Sequence, residues 1–130
     1  MRSDAREAAF KIVFAELFYE AQSKGFPAAI YKQAKLKDEE REFAEALVGA
    51  VREHREELLS IITARVKRYV EYRIYAADRA IMLVALAEIK FFNDIPPIVS
   101  VSEAANLARK YSTEKSADFV NGVLGGIINE

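Results

Sequence analysis

The chain has 130 residues, enough for one domain with a real core and too few for two comfortable ones. About half are apolar (52%) and 30% are charged, a balance that excludes intrinsic disorder. A net charge of −1 excludes a surface that is basic throughout, and the absence of cysteine excludes disulfides and thiolate chemistry.

Five glycines and three prolines punctuate the chain and strand-type alternation is nearly absent, so helices dominate. From Asp4 to about Gln22, Ala9, Phe10, Val13, Phe14, Leu17 and Phe18 recur at steps of one, three and four, the stripe of a long amphipathic helix. Ser23-Lys24-Gly25-Phe26-Pro27 ends it and starts a short second helix. The charged stretch from Lys35 to Glu42 opens a third, with Phe43, Leu47, Val51, Leu58 and Ile62 on its buried face and a kink placed between Val51 and Leu58. Residues 66–75, rich in Tyr and Arg, read as a connection between helices.

The segment Asp78–Phe92 differs in kind. Ile81, Met82, Leu83, Val84, Leu86 and Ile89 leave almost no polar face, which predicts a central, surrounded helix. After the turn at Asn93–Pro97, a Ser-x-x-Glu pattern at Ser100 and Glu103 reads as a helix start, leading to a helix over about Ser102–Tyr111. The final helix runs from Ser116, read as its N-cap, to Ile128. Asn121-Gly122 inside that helix predicts a close, buried packing contact, because Gly in a helix interior costs about 0.5–1 kcal/mol relative to Ala. Gly125-Gly126 reads as a helix end or a second packing contact. The fold class expected is all-α: one domain over residues 1–130, a compact bundle of about six or seven helices in two packed halves joined near residues 65–77.

Chemistry has few footholds. The single histidine, His54, sits on a charged helix face, where a solvated or hydrogen-bonded role accounts for it and no metal site can be built. Glu39-Glu40 and Glu56-Glu57 are neighbours that point about 100° apart on a helix and share no site. No phosphate-binding loop or nucleophile motif occurs. No catalytic residue, metal or cofactor is expected, and the protein does not read as an enzyme. The charged opening (Arg2, Asp4, Arg6, Glu7) is unlike a signal peptide. The longest apolar run, Ala80–Ala87, falls far short of the ~20 residues of a membrane span. A cytoplasmic protein without membrane contact is expected.

Nucleic-acid binding has a better candidate. Arg65, Lys67, Arg68, Arg73 and Arg79 lie among Tyr69, Tyr72 and Tyr75, opposed only by Glu71 and Asp78. Basic residues neutralise phosphates, and tyrosines stack on unpaired bases for about 1–3 kcal/mol each. The alternative is that the tyrosines bury their rings between the two halves while the arginines stay solvated.

Several segments, in order, carry a resemblance. They are Ala5-Arg6-Glu7-Ala8-Ala9, Leu47-Val48-Gly49-Ala50-Val51 with His54, and Asp78-Arg79-Ala80-Ile81 with Ala85 and Glu88. Asp94-Ile95-Pro96, Ser102-Glu103-Ala104, Leu107-Ala108-Arg109-Lys110-Tyr111 and Phe119–Leu124 follow. Together they closely resemble the bacterial NusB family of transcription antitermination factors. The resemblance implies an all-helical, non-enzymatic protein that binds boxA-type single-stranded RNA jointly with NusE, a small-subunit ribosomal protein, within an antitermination complex on RNA polymerase. It implies Arg2 and Arg6 as RNA contacts at the first helix, and Tyr69, Asp78 and Glu88 as partner-binding residues. The family is known as monomers and as homodimers, and a homodimer would cover the basic N-terminus.

The chain departs from the family pattern at its surface. Ser3 and Asp4 stand where arginines are common, Leu83 where Arg is frequent, Ala87 where Tyr is frequent, and Tyr69 where Trp is common. Residues 1–20 carry three positive and four negative side chains, with Glu7 set to pair with Lys11 four residues on. Two readings follow: an antitermination factor that leans on NusE for RNA affinity, or a diverged protein-interaction module whose RNA binding is weak or absent.

Overall fold

A computed structural model of the chain describes residues 1–18, 25–68 and 74–130, which form six helices. They are α1 (Arg2–Glu16), α2 (Gly25–Gln33), α3 (Asp38–Val66), α4 (Ala76–Phe91), α5 (Pro97–Tyr111) and α6 (Glu114–Ile128). Helix α4 buries every residue from Ala80 to Glu88, as its unbroken apolar run requires, and it touches α1, α3, α5 and α6. Helices α1–α3 and α4–α6 make the two halves, with α4 at their junction.

Helix α1 lies beside the first half of α3 and runs in the same direction. The Arg2 guanidinium sits 4.6 Å from the Phe43 ring centre, and Arg52 donates to Glu16 at the other end. α1 is shorter than its apolar pattern predicts: it stops at Glu16, and Phe18 is exposed. The rest of the expected helix, to Gln22, lies outside the described residues. α2 closes with Lys35 in the left-handed region (φ 55°), and the Leu36 amide donates back to the Tyr31 carbonyl, which satisfies the helix end. The Glu40 side chain accepts from the Lys37 amide to cap α3.

The bend expected in the third helix falls at His54, whose φ/ψ (−113°, 18°) leave the helical region. The imidazole stacks on Phe91 of α4, centres 4.2 Å apart, so a tertiary ring contact marks the kink where neither Pro nor Gly is present.

Two capping expectations are corrected. α5 begins at Pro97, with Pro96 as N-cap, because proline at the first helical position gives up no hydrogen bond. Ser100 and Glu103 therefore lie inside α5, and both turn toward other helices. At α6 the N-cap is Thr113, whose Oγ1 accepts from the Ser116 amide at 2.9 Å. Ser116 is buried instead, accepting from Ser112 and donating to Asp78 Oδ2.

Asn121 is also corrected: it is exposed, and Gly122 is half-buried. The buried stripe of α6 is Ser116, Ala117, Phe119, Val120, Val123 and Leu124, and Asn121 falls beside it.

The expected Glu7–Lys11 pair gives way to a tertiary one. Glu7 accepts from Lys110 Nζ and from the Tyr111 hydroxyl (2.8 Å), joining α1 to the end of α5. Burial pushes the Glu7 carboxyl up, but these two hydrogen bonds and the charges of Lys110 and Lys11 outweigh it and hold the pKa below 4.5. The same contact, with burial first, pushes the Tyr111 phenol up to about 12. A lowered carboxylate pKa contributes stability above its unfolded value and loses it as pH falls through the folded value. Wild type should therefore lose melting temperature more steeply below about pH 4.5 than Glu7→Gln. Parallel acid profiles for the two proteins would show that the contact contributes nothing.

Candidate nucleic-acid interface

The end of α3 gathers basic side chains. Arg65 occupies the last turn, where a cation meets the negative end of the helix dipole; Lys67 follows as C-cap and Arg68 comes next. Lys67 is exposed, and the Arg68 side chain is 63% exposed. Arg65 reaches across to α6, where its guanidinium lies against the backbone at Gly126: a Cβ added there would sit 2.3 Å from Cζ. Its Nη1 donates to Glu130 Oε1 at 2.8 Å, and Arg68 Nη2 approaches the same oxygen at 3.1 Å. The buried Nε of Arg65 has no hydrogen-bond partner among the described residues.

Across the connection, Tyr75 is the N-cap of α4 and is 56% exposed. Arg79, also exposed, lies in the first turn of α4. A cation at a helix N-terminus opposes the dipole, so Arg79 gains nothing from the dipole of α4. Tyr69, Tyr72 and Arg73 lie outside the described residues.

A second set of exposed cations, interspersed with the exposed acids Asp4, Asp38 and Glu39, lies at the other end of α3. Arg2 stacks on Phe43 with its edge in solvent. Nearby in the chain, Lys32, Lys35 and Lys37 are exposed around the α2–α3 turn. Sequence reasoning passed over these lysines because Asp38, Glu39 and Glu40 follow at once. At 1.5 Å per residue, roughly 30 Å of α3 separates Phe43 from Arg65, so the structure keeps the two basic regions apart.

Arg6 belongs to neither. It is 6% exposed, with Nε and Nη2 donating to the two oxygens of Glu88 at 2.7 and 3.1 Å. Nη1 lies 3.5 Å from Glu103, Ser100 Oγ hydrogen-bonds Glu88, and Ser3 Oγ donates to Glu103 at 2.7 Å. This network ties α1, α4 and α5 together. Among the described residues, no group of three His, Asp or Glu side chains is arranged to hold a metal ion. Nor is any helix there long and apolar enough to cross a membrane.

The family model for NusB matches residues 3–129. The chain belongs to the NusB family. A relative of that family, the transcription antitermination protein NusB of Trichlorobacter lovleyi, is 37% identical over 124 residues, covering 95% of this chain and 87% of the relative. Among solved structures, a chain in a crystal structure of a plectonemic RNA supercoil superposes with TM-score 0.88 at 27% identity, covering 98% of this chain and 94% of that one. A chain in the crystal structure of the antitermination factors NusB and NusE in complex with dsRNA gives TM-score 0.85 at 26% identity, covering 98% and 96%.

Three site expectations drawn from the NusB resemblance change in the structure. Arg6, expected to meet RNA, is buried and paired with Glu88. Asp78 and Glu88, expected to meet a partner, are 0% and 1% exposed. A buried carboxylate is tolerated only when paired or hydrogen-bonded, and both are: Glu88 to Arg6 and Ser100, Asp78 to Ser116. Tyr69 lies outside the described residues.

Proposed function

We propose that this NusB-family chain is a transcription antitermination factor that binds boxA-type single-stranded RNA jointly with NusE, within an antitermination complex on RNA polymerase. The observation that carries the reading is the near end-to-end match, in sequence and in fold, to NusB chains, one of them crystallised with NusE and dsRNA. In this reading the phosphate contacts are Arg2 beside the first half of α3, Arg65, Lys67 and Arg68 at its end, and Arg79 in the first turn of α4, with Arg73 between them in sequence. Tyr75, exposed at the start of α4, would stack on a base. The role is binding rather than catalysis, and the cytoplasm is the compartment that fits it.

The two separated basic regions favour an extended RNA or a composite surface completed by NusE over a single pocket. The thinned N-terminus, with Arg6 committed to Glu88, makes the dependence on NusE strong. Fluorescence anisotropy with a boxA-like single strand, a scrambled strand and a duplex, each with and without NusE, tests this. Selective binding of the boxA strand that tightens with NusE is the expected result. Equal binding of all three RNAs, with a NusE complex still forming, would overturn it in favour of a protein-interaction module without RNA selectivity.

A further inference from the structure

Part of the basic group at the end of α3 is already paired in the folded chain. Two guanidiniums converge on one oxygen: Arg65 at 2.8 Å and Arg68 at 3.1 Å from Glu130 Oε1. A single acceptor held by two arginines is the arrangement that suits a phosphate oxygen, and here a carboxylate of the same chain occupies it. Gly126 is what allows the Arg65 guanidinium to lie flat on α6, since any side chain there would displace it. The clamped position also leaves Arg65 Nε buried and unpaired among the described residues, a cost that release would remove. Glu130 is half-exposed and Arg68 more so, so the ion pairs are of the weak, solvent-screened kind that a stronger anion displaces.

We propose that the Glu130 carboxylate is an internal competitor for RNA phosphate at the end of α3, seated by the contact of Arg65 with Gly126 and expelled when RNA binds. The proposal rests on the RNA-binding reading above and adds a regulation to it: part of the binding free energy goes to displacing the chain's own anion. RNAs that reach this end of α3 with a backbone phosphate replace Glu130, and those that do not leave it in place.

Glu130→Gln should bind the boxA-like strand about two- to fivefold more tightly than wild type, the range open to an exposed ion pair. The gain should shrink as salt is raised from roughly 0.05 M to roughly 0.3 M, because the internal pair is screened as well. Gly126→Ala should reproduce the gain by pushing the guanidinium off α6. Glu56→Gln, on an exposed part of α3 well away from the cluster, controls for the change in net charge. An equal gain there would overturn the proposal.

The deciding comparison places Arg65→Gln and Arg68→Gln in both the wild-type and the Glu130→Gln backgrounds. The gain from Glu130→Gln should vanish when the arginines are gone. If the arginine changes weaken binding while Glu130→Gln equals wild type, competition is refuted and the RNA reading stands. If the arginine changes alter nothing in either background, the RNA reading of this end of α3 fails, and the competition with it. Should Arg65→Gln not fold, the exposed Arg68→Gln alone carries the same comparison.

Discussion

Glu88→Ala is expected to destabilise the protein by about 3–5 kcal/mol, because it strands the Arg6 guanidinium in the core with no full counter-charge. The Arg6 side chain is 7% accessible, and both of its hydrogen bonds under 3.2 Å go to Glu88. Glu103, at 3.5 Å and partly exposed, cannot replace a bidentate partner. Ser100 would lose its acceptor as well, so α1, α4 and α5 loosen together. Urea denaturation followed by far-UV circular dichroism reads the loss, which for a chain this size corresponds to a melting temperature lower by roughly 10–20 °C. Replacing both members, Arg6→Met with Glu88→Leu, should recover a large part of it, since removing a buried pair costs far less than breaking one. A Glu88→Ala protein within about 1 kcal/mol of wild type would refute this account. Reduced RNA binding by Arg6→Glu would on this view report a damaged fold rather than a lost phosphate contact.

The second large effect falls on RNA binding. Neutralising Lys67, Arg68 and Arg79 together, each to Gln, should lower affinity for single-stranded RNA by about a hundredfold at roughly 0.1 M salt. It should also flatten the dependence of log K on log salt by about two. Each phosphate contact on a single strand contributes about 0.7 to that slope, hence about fivefold at this salt concentration. Stability should hardly change: all three side chains are exposed, and among the described residues the ion pair lost is that of Arg68 with Glu130. Salt titrations of anisotropy on the triple variant read both quantities. An unchanged slope would remove both the end of α3 and the start of α4 from the interface and leave Arg2 and the lysines of the α2–α3 turn to carry the RNA.

Much of this protein follows from local pattern. An apolar stripe repeating every three or four residues makes a helix whatever it packs on, and one with no polar face has to be surrounded. The all-α class, the central placement of α4 and the bend between Val51 and Leu58 are legible in the sequence. Family membership was legible too, since motif order and spacing are properties of the chain.

Side-chain partners were not legible, because a charge looks the same in the sequence whether it is solvated or buried. Arg6 and Glu88 lie 82 residues apart, and only the crossing of α1 and α4 makes them a core ion pair. Ser100 with Glu103 matched a helix-start pattern, yet Pro97 had already begun the helix, and both were free to serve the network around Arg6. Glu7 had Lys11 at the right local spacing, but α5 brought Lys110 and Tyr111 closer. Gly126 and Glu130 acquire meaning only when α6 packs beside the end of α3. Local pattern accounts for the helices, most of their buried stripes and the family; packing between distant segments settles helix ends and which charges stay at the surface, because burial and pairing depend on contacts that no local spacing encodes.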